Sequence, residues 1–78
     1  MMHLTQIKNR IEINPQVLVG KPLIKGSRIA VEFIIELLAN GWTYDQILKN
    51  YPKLKKEDIR AALEYSASAL KFESTYSI

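Results

Sequence analysis

The chain has 78 residues, of which 47% are apolar and 24% are charged, and it contains no cysteine. This length predicts one small domain, since folded domains typically run about 50 to 200 residues. The lack of cysteine excludes disulfide frameworks, thiolate metal sites and cysteine nucleophiles, and it favours a reducing cytoplasm. Because so short a chain builds only a small core, we expect a homodimer or a permanent partner.

Targeting signals and membrane spans are not expected. The uncharged runs are far shorter than the roughly 20 residues that a membrane-spanning helix needs. The first six residues lack the basic start and the apolar core of a signal peptide, so we expect the protein to stay in the cytoplasm.

The formal net charge of +3 is concentrated in two basic blocks. They cover residues 8–28 and 49–60, and the stretch between them carries only Glu32, Glu36 and Asp45. Such a distribution is typical of a nucleic-acid footprint or of a surface for an acidic partner. A plain solvated surface has the same appearance, and the charges alone leave these alternatives open.

The first third of the chain predicts a short β arm over about residues 7–30. Residues 7–13 alternate apolar and polar side chains over their second half, which indicates a strand that ends at Asn14-Pro15. Val17–Val19 is a second β-branched run. Two glycines and two prolines between residues 14 and 26 disfavour a helix and favour extended pieces joined by turns.

The first helix is expected over about residues 31–40, with Gly41 as its stop. Its large apolar side chains, from Phe33 round to Ile35, spread over about 200° of the helix surface, against the roughly 100° that faces one core. The excess apolar surface therefore needs a second cover, which either the β arm or a partner chain would supply.

Two further helices are expected over about residues 44–51 and 56–72. Thr43 and Gln46 have the spacing of a capping box before the second helix, and Pro52 ends it, with Leu54 filling the turn. The apolar positions of the third helix fall on one face, which comprises Ile59, Ala62, Leu63, Ser66, Ala67 and Leu70. A second stripe on this helix predicts another contact and comprises Ala61, Tyr65, Ser68 and Phe72.

No catalytic or metal-binding constellation is visible, so we expect neither an enzyme nor a cofactor or metal site. His3 is the only histidine, and a single imidazole without a thiolate is a poor start for a transition-metal site. Residues 20–28 are rich in glycine and lysine but lack the order of a phosphate-binding Walker loop, and Pro22 removes one amide donor. A pair of turns is the simpler interpretation.

Three helices in this order are typical of a helix-turn-helix DNA-binding unit. The cations expected at DNA are Lys53, Lys55, Lys56 and Arg60, with Arg60 the best candidate for a base edge. Two observations count against this role. Glu57 and Asp58 place negative charge in the first turn of the third helix, and Arg60 has Glu57 and Glu64 within helical pairing distance.

Several short motifs together resemble the small prokaryotic family known as domain of unknown function four-three-three. The match covers about residues 7–70, and the element GKPxIxG[TS]R followed by YPxL is its most specific part. The matching residues are Asn14-Pro15, Gly20-Lys21-Pro22, Ile24, Gly26-Ser27-Arg28-Ile29, Val31, Leu38, Gly41, Thr43, Ile47-Leu48, Tyr51-Pro52, Leu54, Asp58-Ile59, Ala62-Leu63 and Tyr65.

The resemblance implies a mainly α, homeodomain-like trihelical fold with a short β arm. It also implies an antitoxin of the VapB type, which binds and neutralises a PIN-like ribonuclease toxin and represses its own operon. A stand-alone DNA-binding regulator and a non-enzymatic interaction module remain the alternatives. The chain departs from the family pattern at Ser27, where threonine is usual, and at Lys55, which stands where a threonine or serine caps the third helix.

The β arm is the predicted element for binding the toxin. PIN-type nucleases hold divalent metal in a carboxylate cluster, so an inhibitor gains by presenting cations. The arm offers Lys8, Arg10, Lys21, Lys25 and Arg28. A strand over residues 7–13 would also be able to extend the sheet of the partner.

Overall fold

The computed structural model describes residues 9–16 and 20–73, with side chains up to residue 71. Three short strands precede three helices along the chain. The elements are β1 (Ile11–Ile13), β2 (Pro22–Ile24), β3 (Ile29–Ala30), α1 (Val31–Ala39), α2 (Tyr44–Asn50) and α3 (Lys56–Glu73). The predicted order of a β arm followed by three helices is confirmed.

The strands form an antiparallel sheet in the order β1-β2-β3, so that β1 lies at one edge. Ile11 pairs with Ile24, and the Lys25 N–H donates to the Arg10 carbonyl at 2.8 Å just beyond β1. The strand predicted over residues 7–13 is therefore shorter, because Asn9 and Arg10 are helical. Residues 7 and 8, and the run predicted over 17–19, lie outside the described residues.

The turn between β2 and β3 is fixed by one hydroxyl. Ser27 Oγ donates to the Ile24 carbonyl at 2.9 Å and accepts from the Ile29 N–H at 3.0 Å. The turn also places Arg28 at φ 60°, a left-handed conformation that costs a residue with a Cβ roughly 1 kcal/mol.

The helix boundaries lie where the local signals predict them. At the end of α1, the Gly41 N–H donates to the Leu38 carbonyl and the Trp42 N–H to the Leu37 carbonyl, each at 3.0 Å. These two bonds form a Schellman motif, which requires the φ of +90° that Gly41 adopts. At the start of α2, the capping box between Thr43 and Gln46 is present in both directions.

The core lies where the sheet meets the three helices. One fully buried isoleucine comes from each of β2, α1, α2 and α3, namely Ile24, Ile34, Ile47 and Ile59. Leu54 is 4% exposed and fills the turn between α2 and α3, as predicted. This packing fixes the positions of all three helices relative to the sheet.

α3 packs on this core only as far as Tyr65. At 1.5 Å per residue α3 is about 27 Å long and α1 only about 14 Å, so α3 extends beyond the element against which it packs. Ile59 and Ala62 are buried, but Leu63 is 39% exposed and Leu70 is 64% exposed. The predicted apolar face of this helix is thus wrong as a core face beyond Ala62. From the second stripe, predicted to make another contact, Ala61 is buried and Tyr65 packs on the core.

Candidate functional site

The turn between α2 and α3 is held in place by contacts with the core and with aromatic side chains. The Leu54 N–H donates to the Tyr51 carbonyl at 2.9 Å, and the buried Leu54 side chain anchors the turn in the core. The Tyr51 ring meets Phe33 of α1 edge-on, with 5.5 Å between ring centroids, and lies 6.4 Å from the Trp42 ring. The backbone of this turn therefore holds a fixed place relative to all three helices.

Four cations surround this turn and the first two turns of α3. Lys53, Lys55, Lys56 and Arg60 are all exposed. Within the described part of the chain, none of them has a carboxylate within 4.0 Å. The pairing of Arg60 with Glu57 or Glu64 that helical spacing allows does not form here. We call these four residues the basic turn.

A shallow cleft of about 280 Å³ lies on the basic turn, between α2 and α3. It is lined by Tyr44, Lys56, Glu57 and Arg60. Tyr44 is half-buried and packs on the core, whereas the three charged side chains are exposed. A negative and a positive side chain, Glu57 and Arg60, thus face the same open space three residues apart.

Asp58, the second acid in the first turn of α3, faces inward. It is 6% exposed, and its Oδ1 accepts from Nη1 of Arg10 at 2.9 Å. Its Oδ2 accepts from the backbone N–H of Lys55 at 2.9 Å. Asp58 therefore supplies the reciprocal half of a capping box, in which the side chain of the third helical residue accepts from the N–H of the residue before the helix. Its charge also lies at the positive end of the helix dipole.

The Arg10–Asp58 contact was not apparent from the sequence. The spacing of Lys55 and Asp58 is that of the reciprocal half of a capping box, and this signal identifies Asp58 as a helix-start residue. Nothing local connects it with Arg10, which lies 48 residues earlier. The pair joins the β arm to the start of α3.

The five cations predicted on the β arm do not form one free patch. Arg10 is paired with Asp58, and Lys21 Nζ lies 2.9 Å from Glu32 Oε1. A hydrogen bond to Glu32, together with the charge of that carboxylate, raises the pKa of Lys21 above its usual 10.5. Lys25 and Arg28 are exposed, and within the described residues neither has a carboxylate within 4.0 Å. Lys8 lies outside the described residues.

Metal chemistry and membrane insertion find no support in the described ranges. Among residues 9–16 and 20–73, no three histidine, aspartate or glutamate side chains lie close enough to hold a metal ion. No helix in the same ranges is long and apolar enough to cross a membrane.

Comparison with known proteins finds one family and a solved structure. The profile of a family described as "Protein of unknown function (DUF433)" matches residues 11–66. The crystal structure of a DUF433 member from Anabaena variabilis ATCC 29413, at 2.00 Å resolution, is similar with a TM-score of 0.75 and 32% identity. The match covers 83% of this chain but only 64% of that relative. No curated protein matches the chain.

Proposed function

Since the chain belongs to the DUF433 family, whose description names no function, we propose from its own residues that it is a DNA-binding protein of the helix-turn-helix type. The observation that carries this proposal is the basic turn. Four exposed cations cluster where α2 meets α3, and none of them has an acidic partner among the described residues. In a helix-turn-helix unit the second helix of the motif is the recognition helix, which is α3 in this proposal, and its N-terminal residues contact the bases.

The cations of the basic turn have different roles in this proposal. Lys53, Lys55 and Lys56 contact phosphates, since flexible ammonium groups bind backbone charge without requiring one geometry. Arg60 lies one turn into α3 and bonds to a guanine through O6 and N7.

The two acidic side chains in the first turn of α3, Glu57 and Asp58, are compatible with DNA binding, although the sequence alone counts them against it. Asp58 is turned inward and paired with Arg10, so its charge is partly neutralised away from the DNA surface. Glu57 faces the same cleft as Arg60, and a glutamate accepts a hydrogen bond from the amino group of cytosine. Together these two side chains would recognise a site that contains both G and C in the major groove.

Fluorescence anisotropy with the DNA upstream of the gene tests this proposal. The logarithm of the association constant should fall with the logarithm of salt concentration, by about 0.9 for each phosphate contacted. Lys55→Ala with Lys56→Ala should lower affinity at least tenfold at low salt and reduce the slope by about 1 to 2. The control is Lys25→Ala with Arg28→Ala, which removes the same charge from the β arm. Unchanged binding by the first variant would exclude the basic turn as the contact.

Neutralisation of a PIN-like ribonuclease is a second proposal, supported by two features of the β arm. β1 is an edge strand, and within the described residues its only strand partner is β2. The second feature is Arg28, an exposed cation held at φ 60° in a turn where glycine would be free of strain. Backbone strain of this kind is commonly retained at binding sites.

Co-expression with a PIN-like ribonuclease tests the second proposal. Arg28→Gly relieves the backbone strain but removes the cation, so it should keep the fold and weaken rescue of growth. Deletion of residues 1–13 removes β1 and should abolish the complex. Because the deletion also removes Arg10, the matched control is Arg10→Gln in the full chain. If the truncated chain still binds the nuclease and restores growth, β1 is not the binding element. Either role belongs in the cytoplasm, in agreement with the cysteine-free composition.

A further inference from the structure

An apolar groove of about 400 Å³ lies between α1 and the second half of α3, on residues that the proposed DNA contact does not use. Most of its lining is aliphatic or aromatic, with two carboxylates on the α1 side. The principal lining residues are Val31, Ile35, Tyr65, Leu70, Glu32 and Glu36. Among them Leu70 is 64% exposed, which is a large apolar surface to leave in water.

The part of α3 that follows Ser66 has little support from its own chain. Every residue from Ala67 to Lys71 is exposed, yet the segment is helical. Helices shorter than about 12 residues are marginal in water without tertiary packing. A surface that packs against this segment would therefore stabilise both the helix and the groove beside it.

We propose that the groove binds the second half of α3 from a second copy of this chain, forming a symmetric homodimer. A two-fold interface requires a patch that fits itself, and this patch contains both a groove and a protruding apolar helix. Small residues in this part of α3, the half-buried Ser66 and the exposed Ala67 and Ala69, let the two α3 helices approach closely as they cross. Leu70 of each copy then fills the groove of the other.

The charges around the patch agree with this occupant. Glu32 is paired with Lys21, but Glu36 has no cation within 4.0 Å among the described residues. Lys71 follows Leu70 directly, is exposed and likewise has no such partner there. When Leu70 enters the groove of the other copy, Lys71 comes to the acidic α1 side of that groove. Each copy contributes one such Lys71–Glu36 contact, so the interface has two.

Sedimentation equilibrium on the purified chain tests the dimer and its location. The wild type should sediment at twice the 9.0 kDa chain mass at tens of micromolar. Leu70→Asp should convert it to a monomer, because a carboxylate would be desolvated in the apolar groove. Ile13→Asp is the matched control, since Ile13 is also exposed, at 58%, but lies on β1 away from the groove. This control should remain dimeric.

Charge reversal gives a test that depends only on contacts between copies. Glu36→Lys and Lys71→Glu should each weaken the dimer by roughly three- to tenfold in dissociation constant, because each variant opposes like charges twice. An equimolar mixture of the two variants restores both opposite-charge contacts and should dimerise like the wild type. This experiment also decides the question if Leu70→Asp fails to fold.

Three results would overturn the proposal. They are a wild-type monomer at 100 micromolar, a dimer that Leu70→Asp leaves intact, and a variant mixture that dimerises no better than the single variants. A basic amphipathic segment of another protein is the competing occupant of the groove, and it predicts the first of these results. The DNA proposal is independent of all three, since the basic turn lies outside the groove.

Discussion

Removing Arg10 should destabilise the protein more than its position near the start of the chain suggests. Exposed ion pairs contribute about 0 to 1 kcal/mol, whereas removing one partner of a buried pair costs about 3 to 5 kcal/mol. The Arg10–Asp58 pair lies between these limits, because the side chain of Asp58 is only 9% exposed and that of Arg10 is 34% exposed. We therefore expect Arg10→Met to lower the free energy of unfolding by about 1.5 to 2 kcal/mol.

Asp58→Ala should cost about 3 kcal/mol, because it removes the ion pair and also the acceptor of the Lys55 N–H. If Arg10→Met and Asp58→Ala remove the same contact, the variant that carries both substitutions is destabilised by less than the sum of the two single variants. The expected coupling energy is about 1 to 2 kcal/mol. Urea unfolding, followed by the fluorescence of the single tryptophan Trp42, measures the free energy of unfolding of the wild type, of both single variants and of the double variant.

The exposed pair formed by Lys21 and Glu32 is the internal control for this experiment. Both side chains are more than half exposed, so Lys21→Met should leave the midpoint of unfolding unchanged. A coupling energy below about 0.5 kcal/mol between Arg10 and Asp58 would refute the reasoning, since it is the size typical of exposed pairs. The contact would then be no more than a surface ion pair despite its burial.

Three further predictions concern the helix boundaries and one surface lysine. Gly41→Ala should lower the free energy of unfolding by about 1 kcal/mol, because a residue with a Cβ is strained at the φ of +90°. The loss comes from the backbone alone, since the added Cβ meets no atom within 4 Å. Gly41→Asn should cost less in the same urea assay. Thr43→Ala should also cost about 1 kcal/mol by removing the capping hydroxyl, whereas Thr43→Ser should restore most of it. NMR titration should show that Glu32→Gln lowers the raised pKa of Lys21 towards 10.5. Because a raised lysine pKa favours the folded state until the pH rises through that value, the contribution of Lys21 to stability is present at neutral pH and lost in alkali, and it is small because the pair is exposed.

The helices were predictable because their boundaries are set by neighbouring residues. Gly41, the capping box at Thr43 and Pro52 each act within a few residues, and the helix limits agree with the structure to within one residue. Strand limits depend on pairing between distant segments instead. β1 begins at Ile11 because its pairing with β2 begins there, opposite Ile24.

The site was predictable in its charges but not in its pairing. Exposure of Lys56 and Arg60 follows from the apolar period of α3, whereas Lys53 and Lys55 are exposed because they lie in the turn between α2 and α3. The engagement of Arg10 by Asp58 depends on how the β arm crosses the start of α3, and no local pattern encodes that crossing. The exposure of Leu70 was not predicted for a related reason, since periodicity does not show how far a helix extends beyond the elements on which it packs.

The short connections between the helices bear on the order in which the protein folds. α1 and α2 are separated by four residues, α2 and α3 by five, and β2 and β3 by a four-residue turn, so most of the packing is local in sequence. Chains with local contacts fold quickly, and a contact that closes a long loop costs more loop-closure entropy than a local one. The Arg10–Asp58 contact closes a loop of 48 residues and is therefore expected to form late. Replacing Arg10 should accordingly speed unfolding while leaving the refolding rate almost unchanged. The Arg10–Asp58 pair would then lengthen the lifetime of the native state without affecting how fast it forms.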